Sequence, residues 1–305
     1  ISWNAVWDGK TSIHSEGWSA EIRIPFNIFQ FSKDSDQIWG ATFQRGYFAK
    51  QEQIHWPGRS KGVRGTIPHY GQILGIKDIP QPKNIELVPY LLAGQTQSGS
   101  LTSKTNLGLD LRYNINSSTT LNMAFNPDFG QVEADPSVLN LSAFETRLDE
   151  KRPFFVQGAN FFSSWMRVFN SRRIGQRPGF IKPDSGDIVD RPNETTILSA
   201  AKVLGETSTG VKYGIINAIT NQEYASLEFE KDGKTVKKDF LIEPYSNYFV
   251  GRVTKSFIND LSEIGFMATD LKRNGYSDIA TSFKGDFLIN LLDNKFSLTG
   301  EYGST

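Results

Sequence analysis

Apolar and polar residues alternate with a two-residue period along most of this 305-residue chain, which marks it as β-structure. Over residues 17–26, Trp18, Ala20, Ile22, Ile24 and Phe26 share one face, while Ser19, Glu21 and Arg23 share the other. Residues 39–45 form a second such run. Residues 1–50 therefore predict part of a β-sandwich with one wet face, and place Trp18 and Trp39 in its core. Residues 51–84 are rich in Gly and Pro and predict a loop and linker.

From residue 85 onward long alternating runs follow one another with almost no helical period. Over 104–114, Leu107, Leu109, Leu111 and Tyr113 lie opposite Gly108, Asp110, Arg112 and Asn114. Leu121, Met123 and Phe125 continue the pattern. Over 277–291, Ile279, Thr281, Phe283, Gly285, Phe287, Ile289 and Leu291 oppose Asp278, Ala280, Ser282, Lys284, Asp286 and Asn290. Further strands are predicted over 195–204, 209–219, 224–230, 236–254 and 260–272, separated by turn signals at Asn116-Ser117, Asp232-Gly233, Asn274-Gly275 and Asp293-Asn294. Several runs reach roughly 10–15 residues. Strands of soluble domains average about 5–6, and a membrane crossing takes about 9–11. The pattern fits both a sandwich with its polar face in water and a barrel with its apolar face in lipid; length and repetition favour the barrel.

One segment breaks the rhythm. Residues 127–165 hold Pro127, Pro136 and Pro153, which central strands exclude. A segment of this length needs its own structure or fills a cavity, and 140–150 predicts a short helix.

Composition narrows the chemistry. Lys+Arg and Asp+Glu are both 33, so the formal charge is zero and no global field attracts nucleic acid. Without Cys there is no thiol catalysis and no thiolate metal site, and the three His are scattered. No apolar run is long enough for a membrane helix. The chain starts at Ile1 and stops in an alternating run, which reads as a fragment truncated at both ends.

A family resemblance rests on Asn126-Pro-Asp-Phe-Gly-Gln-Val-Glu-Ala-Asp-Pro136, Asn140-Leu-Ser-Ala-Phe-Glu145, Glu150-Lys-Arg-Pro-Phe-Phe155 and Ser171-Arg-Arg-Ile-Gly175. These strings resemble an uncharacterised group of bacterial envelope proteins. Its members join a domain similar to carbohydrate-binding module family 9 to an outer-membrane β-barrel of unknown function. Residues 17–26 and 39–45 resemble the second half of that binding domain. The chain departs from the family at Arg147-Leu-Asp149 and at Gln157, where an aromatic-Pro string and a Glu are usual. The resemblance implies an outer-membrane location, membrane lipid as a partner and a link to glycans; it implies no mechanism.

The expected fold is thus all-β: a partial sandwich over 1–50, a linker over 51–84, and the first part of a long-stranded antiparallel barrel of outer-membrane type over 85–305 with 127–165 inserted. Trp3, Trp7 and Trp56 lie in less regular sequence and are candidate sugar-stacking rings, set against packing roles. Asp128, Glu133, Asp135, Glu145, Asp149 and Glu150 form an acidic run. Paired carboxylates serve glycosidases and oxygen clusters hold calcium, but no specific motif is matched. The preferred reading is structural, with Asn126 in the same segment and the carboxylates paired to Lys151, Arg152, Arg172 and Arg173. No catalytic residue, metal site or cofactor is assigned, calcium being the one candidate ion. Glycan binding or handling at the outer membrane is the expected function. A barrel-anchored glycosidase and a channel plugged by 127–165 are the alternatives. Neither the oligomeric state nor the glycan is written in the sequence.

Overall fold

A computed structural model describes residues 7–26, 29, 31, 34–58, 69–80, 85–98, 100–127, 149–163, 166–179, 187–231, 234–257, 262–292 and 295–305. It is all-β in character and divides into two compact units: residues 5–83 with 291–296, and residues 84–290 with 297–305 and 1–4. No described helix is long and apolar enough to cross a membrane.

The first unit holds β1 (Asp8–His14), β2 (Gly17–Arg23), β3 (Asp36–Ala41), β4 (Phe43–Tyr47), β5 (Glu52–Trp56) and β6 (Gly71–Lys77). They form three two-stranded antiparallel pairs, β1-β2, β3-β6 and β4-β5. Trp39 is half-buried against Phe26, Phe29 and Phe31, at ring distances of 5.4, 5.3 and 5.5 Å. Two expectations change. Trp18 is 55% exposed and carries the Arg45 guanidinium on its ring rather than sitting in a core. The stretch expected as linker contains β5 and β6, because short alternating runs such as Gln53-Ile54-His55-Trp56 survive between its Gly and Pro residues.

The second unit holds β7 (Ile85–Ser98), β8 (Ser100–Asn116), β9 (Thr119–Phe125), α1 (Pro153–Val156), α2 (Ala159–Phe162), β10 (Asp187–Asp190), β11 (Ile197–Glu206), β12 (Val211–Thr220), β13 (Glu223–Lys231), β14 (Lys234–Glu243), β15 (Ser246–Phe257), β16 (Ser262–Arg273), β17 (Ile279–Leu291) and β18 (Phe296–Ser304). Nine of these strands form one sheet in the order β18-β17-β16-β15-β12-β11-β9-β8-β7, an up-and-down meander with β18 and β7 at its edges. Strands β15 and β16 have 12 residues each and β17 has 13. At one end of the sheet the connections are short: between β8 and β9, β11 and β12, β15 and β16, and β17 and β18. The opposite end carries the excursion over 126–196 and a projecting ribbon, β13-β14, to which β10 adds a third strand. The run expected as one strand over 236–254 is therefore two. It breaks at Pro244, which has no amide to donate to a ladder.

The sheet's two faces differ in kind. On one, Phe266, Phe283, Ile264, Val253, Ile215 and Leu107 are 50%, 48%, 56%, 41%, 44% and 68% exposed. On the other, Lys202 and Lys284 are 1% exposed, Arg252 is 8% and Asn122 is 7%. Register aligns the polar side chains across strands, since Asn122 pairs with Lys202, Lys202 with Ile216, and Arg252 with both Gly214 and Met267. The apolar residues buried on this face (Ala200, Ile216, Ala218, Val250 and Met267) cluster with Phe155, Phe162 and Ile174 from the excursion. The excursion's residues 154–162 and 168–174 thus pack on the polar face, and among the described residues the apolar face is left bare.

Glycine makes that contact possible. A Cβ on Gly214 would stand 2.7 Å from Phe161 Cδ1 and 2.7 Å from Phe162 Cζ. Gly158, between α1 and α2, has φ +72 and would meet Leu204 Cδ1 at 2.2 Å. Val favours strands, so Gly214→Val would help β12 if nothing lay over it. With the phenyl rings in place it is expected to destabilise by about 1–3 kcal/mol and to speed proteolysis within 150–163. Denaturant midpoints and digestion rates check both.

Candidate functional site

The excursion leaves the sheet at Asn126. Its φ of 46 is a left-handed conformation that Asn tolerates. Its Nδ2 donates to the Leu107 carbonyl at 2.8 Å and to Asn106, and its amide donates to the Leu198 carbonyl at 2.9 Å. Its role is to end β9 and fasten the departing chain to both neighbouring strands.

A compact clamp organises residues 149–174. The Arg152 guanidinium donates to Glu150 from Nε and Nη2, both at 2.7 Å, and to the carbonyls of Ile174 and Ser171 from Nη1 and Nη2, both at 2.6 Å. It also stacks 4.3 Å over the Phe155 ring. Ser171 Oγ donates to Glu150 Oε2 at 2.6 Å. Burial pushes the Glu150 carboxyl up, but the hydrogen bonds and charge of Arg152, joined by Ser171, outweigh it and hold the group below the ordinary carboxylate range. Both carboxylate oxygens are engaged, so Glu150 is a structural partner and not a poised acid. The clamp ties 150–152 to 171–174, which carries the folded excursion past the boundary at 165 expected from sequence.

The sheet supplies the remaining anchors. Lys202 Nζ donates to the carbonyls of Phe154 and Gln157, at the two ends of α1, and lies 4.8 Å from the Phe154 ring centre. Arg252 donates to the Ser163 carbonyl at 3.0 Å and to Asp286 at 2.8 Å. Lys284 lies 3.4 Å from Asp286 and 3.3 Å from Glu301, whose other oxygen accepts from the Met166 amide. Sequence reasoning missed Lys202, Arg252 and Glu301, and read Lys284 and Asp286 only as part of a polar face. The available signal was single charges at the centres of strands with apolar flanks, such as Ala201-Lys202-Val203.

The sequence-predicted residues distribute as follows. Arg152 and Glu150 are brought together, and Lys151 is half-buried beside them. Arg172 and Arg173 lie on a short 3₁₀ turn, Ser171–Arg173, where the Arg172 amide donates to Asn170 Oδ1 at 3.1 Å. Both line a cavity of about 380 Å³ together with Asp149, Glu150 and Arg167. Asp128, Glu133, Asp135, Glu145 and Trp3, like most of the helix expected over 140–150, lie outside the described residues. Among the described residues no group of three His, Asp or Glu comes together in a way that would hold a metal ion. Trp7 and Trp56 are 48% and 50% exposed in the first unit, Trp56 with its ring 5.6 Å from that of Phe43.

The chain belongs to the family of the domain of unknown function DUF5916, whose model matches residues 81–304. The match begins just before β7 and takes in the nine-stranded sheet and the excursion together. No curated protein and no solved structure matches the chain.

The clamp has a pH signature. A carboxylate held low contributes its stability fully above its unfolded value, about 4.3, and loses it as pH falls through the lower folded value. Glu150→Gln strands the Arg152 charge and is expected to cost about 3 kcal/mol near neutral pH. The gap to the wild type should close as pH is lowered below about 4. Denaturant midpoints of the two chains in detergent at neutral and acid pH test this; coincident midpoints at neutral pH would remove the clamp's role.

Proposed function

We propose that the nine-stranded sheet belongs to a membrane β-barrel of the bacterial outer membrane. Its bare apolar face meets lipid and its polar face lines a lumen occupied by residues 153–163 and 166–174 of the excursion. The observation that carries this reading is the inversion of the two faces. Phe266 and Phe283, stacked at 6.3 Å, lie on the exposed side, while Lys202, Arg252 and Lys284 are buried on the other. A soluble sheet places these sets the other way round, whereas an outer-membrane barrel alternates apolar-out and polar-in. Both long connections, β9 to β11 and β12 to β15, leave the same end of the sheet, and the other end has short connections alone, which also suits such a barrel. Strands of 10–13 residues are long enough to cross a bilayer. With the lumen occupied, the domain acts as a closed or gated pore rather than an open one, which is the plugged-channel alternative in structural form.

A second reading concerns the first unit. Trp7 and Trp56 offer half-exposed flat rings, and Trp56 with Phe43 makes a two-ring surface. A pyranose ring stacks on such a surface, so glycan contact at the cell envelope remains part of the proposal. A glycosidase role draws no support from Glu150, whose oxygens are held by Arg152 and Ser171.

Phe266→Lys and Phe283→Lys separate lipid from water. On a lipid-facing wall each is expected to cost about 2–4 kcal/mol near the midplane; on a wet surface the change stays within about 0.5 kcal/mol. The readouts are heat-modifiable migration and urea titration after refolding into vesicles. A wild-type chain that stays monodisperse in water without detergent, with both variants equally stable, would exclude the barrel. For the first unit, a glycan array with Trp7→Ala and Trp56→Ala is expected to lose signal in at least one variant; unchanged binding would place the sugar elsewhere.

A further inference from the structure

The course of the chain fixes the end of the sheet at which it enters β7. Ile85 opens β7 opposite Tyr113, close to the end of β8 at Asn116. That end carries the connections from β8 to β9, β11 to β12, β15 to β16 and β17 to β18, all of them short. Both long connections, with the β10-β13-β14 ribbon, leave the other end. Outer-membrane barrels keep short turns in the periplasm and longer loops outside. On the barrel reading, on which this inference rests, the chain therefore enters β7 from the periplasm. The last strand of the first unit, β6, ends at Lys77, eight residues before Ile85. Eight residues extend at most about 29 Å, short of the roughly 40–45 Å of a whole bilayer.

The first unit carries an aromatic surface with a built seat. In the β4-β5 pair Phe43 stands opposite Trp56, Arg45 opposite Ile54 and Tyr47 opposite Glu52, so these six side chains share one face. Phe43, Ile54 and Trp56 are each at least half exposed. The Trp56 ring rests on Gly71 of β6, where a Cβ would stand 2.6 Å from it, and the Trp56 carbonyl accepts from Thr42 Oγ1 at 3.0 Å. One step along β4 from Phe43, the Arg45 guanidinium lies 5.3 Å over the exposed Trp18 ring. From Phe43 to Tyr47 the face runs about 13 Å, longer than one sugar ring.

We propose that the first unit is periplasmic and that this face takes the cell-wall glycan, a strand of N-acetylated amino sugars whose lactyl and peptide groups carry carboxylates. The side of the membrane makes the selection. Capsular polysaccharide and the sugars of lipopolysaccharide lie beyond the opposite end of the sheet. Pyranose rings and acetyl methyls rest on Trp56, Phe43 and Ile54, and a carboxylate meets the planar fork of Arg45. The glycan contact proposed for the first unit thereby becomes a tie between an outer-membrane barrel and the wall beneath it.

The chain has no Cys, so single introduced thiols report the side of the membrane. Ser12→Cys in β1, Ser208→Cys between β11 and β12 and Thr235→Cys in β14 are all at exposed positions. The full chain in the outer membrane of intact cells is treated with a bulky, membrane-impermeant maleimide. Thr235→Cys should react, while Ser12→Cys and Ser208→Cys should react only once the outer membrane is permeabilised. Reaction of Ser12→Cys on intact cells with Ser208→Cys still protected would overturn the periplasmic placement and leave the barrel standing. Ser208→Cys and Thr235→Cys reacting alike, or in the reverse order, would sink the barrel reading and this inference with it. The ligand is tested by co-sedimentation of the detergent-solubilised chain with purified peptidoglycan sacculi, with lipopolysaccharide and soluble xylan as the other glycans. Sacculi should bind best. Trp56→Ala and Phe43→Ala should each weaken binding at least tenfold, and Gly71→Ala, which displaces the Trp56 ring without removing it, several-fold. Protease digestion patterns matching the wild type show that the variants fold. No binding of sacculi by the folded wild type, stronger binding of either other glycan, or equal binding by all the variants would overturn the ligand.

Discussion

Backbone carbonyls that leave regular structure and enter a protein interior must find donors. That constraint governs how residues 149–174 sit on the sheet. Among its described residues the segment has two four-residue helices and one short 3₁₀ turn, so many of its carbonyls have no ladder to join. The carbonyls of Phe154 and Gln157 take the Lys202 ammonium, that of Ser163 takes Arg252, and those of Ser171 and Ile174 take Arg152. The dependence is mutual. Lys202 and Arg252 sit in mid-strand with almost no exposure, and an ammonium or guanidinium there is tolerable only with acceptors around it. The phenyl cluster of Phe155 and Phe162 supplies apolar burial, but such packing is non-directional. The cation-to-carbonyl bonds fix which turn of the excursion faces which strand.

Once cations occupy the centres of β11, β15 and β17, the same face cannot also bury the strands' long aliphatic and aromatic side chains. Strand alternation sends those to the opposite side. Phe266 and Phe283 there stack on each other and stay about half exposed. The bare apolar face is thus the geometric complement of the polar one, set by the period of the strand. Small residues finish the arrangement on the inner side. Gly214 and Gly158 leave room where a side chain would collide with a phenyl ring or with Leu204.

Much of this sheet was legible as alternation. The runs over 104–114, 120–125 and 277–291 became strands with the expected residues on each face, because a two-residue period needs no tertiary information. The excursion was legible only as a break in that period. Where it folds back depends on Arg152 reaching Ser171 and Ile174, a contact across some twenty residues that no local pattern encodes. Lys202 and Arg252 were missed, since sequence does not reveal that a face is covered by the chain itself. The first unit misled in the opposite direction: Trp18 stands in a clean apolar alternation yet is more than half exposed. Periodicity identifies a shared face, not what covers it.

The anchors are uneven along the excursion, and that bears on how it opens. Lifting it whole would strand Lys202 and Arg252 together, and an orphaned buried charge costs about 3–5 kcal/mol on its own. It would also expose Phe155, Phe162 and Ile174. Arg167 and Arg173, by contrast, are exposed at the cavity. Motion should therefore concentrate at that rim while the clamp and wall anchors stay fixed, since local opening draws on the weakest-held contacts first.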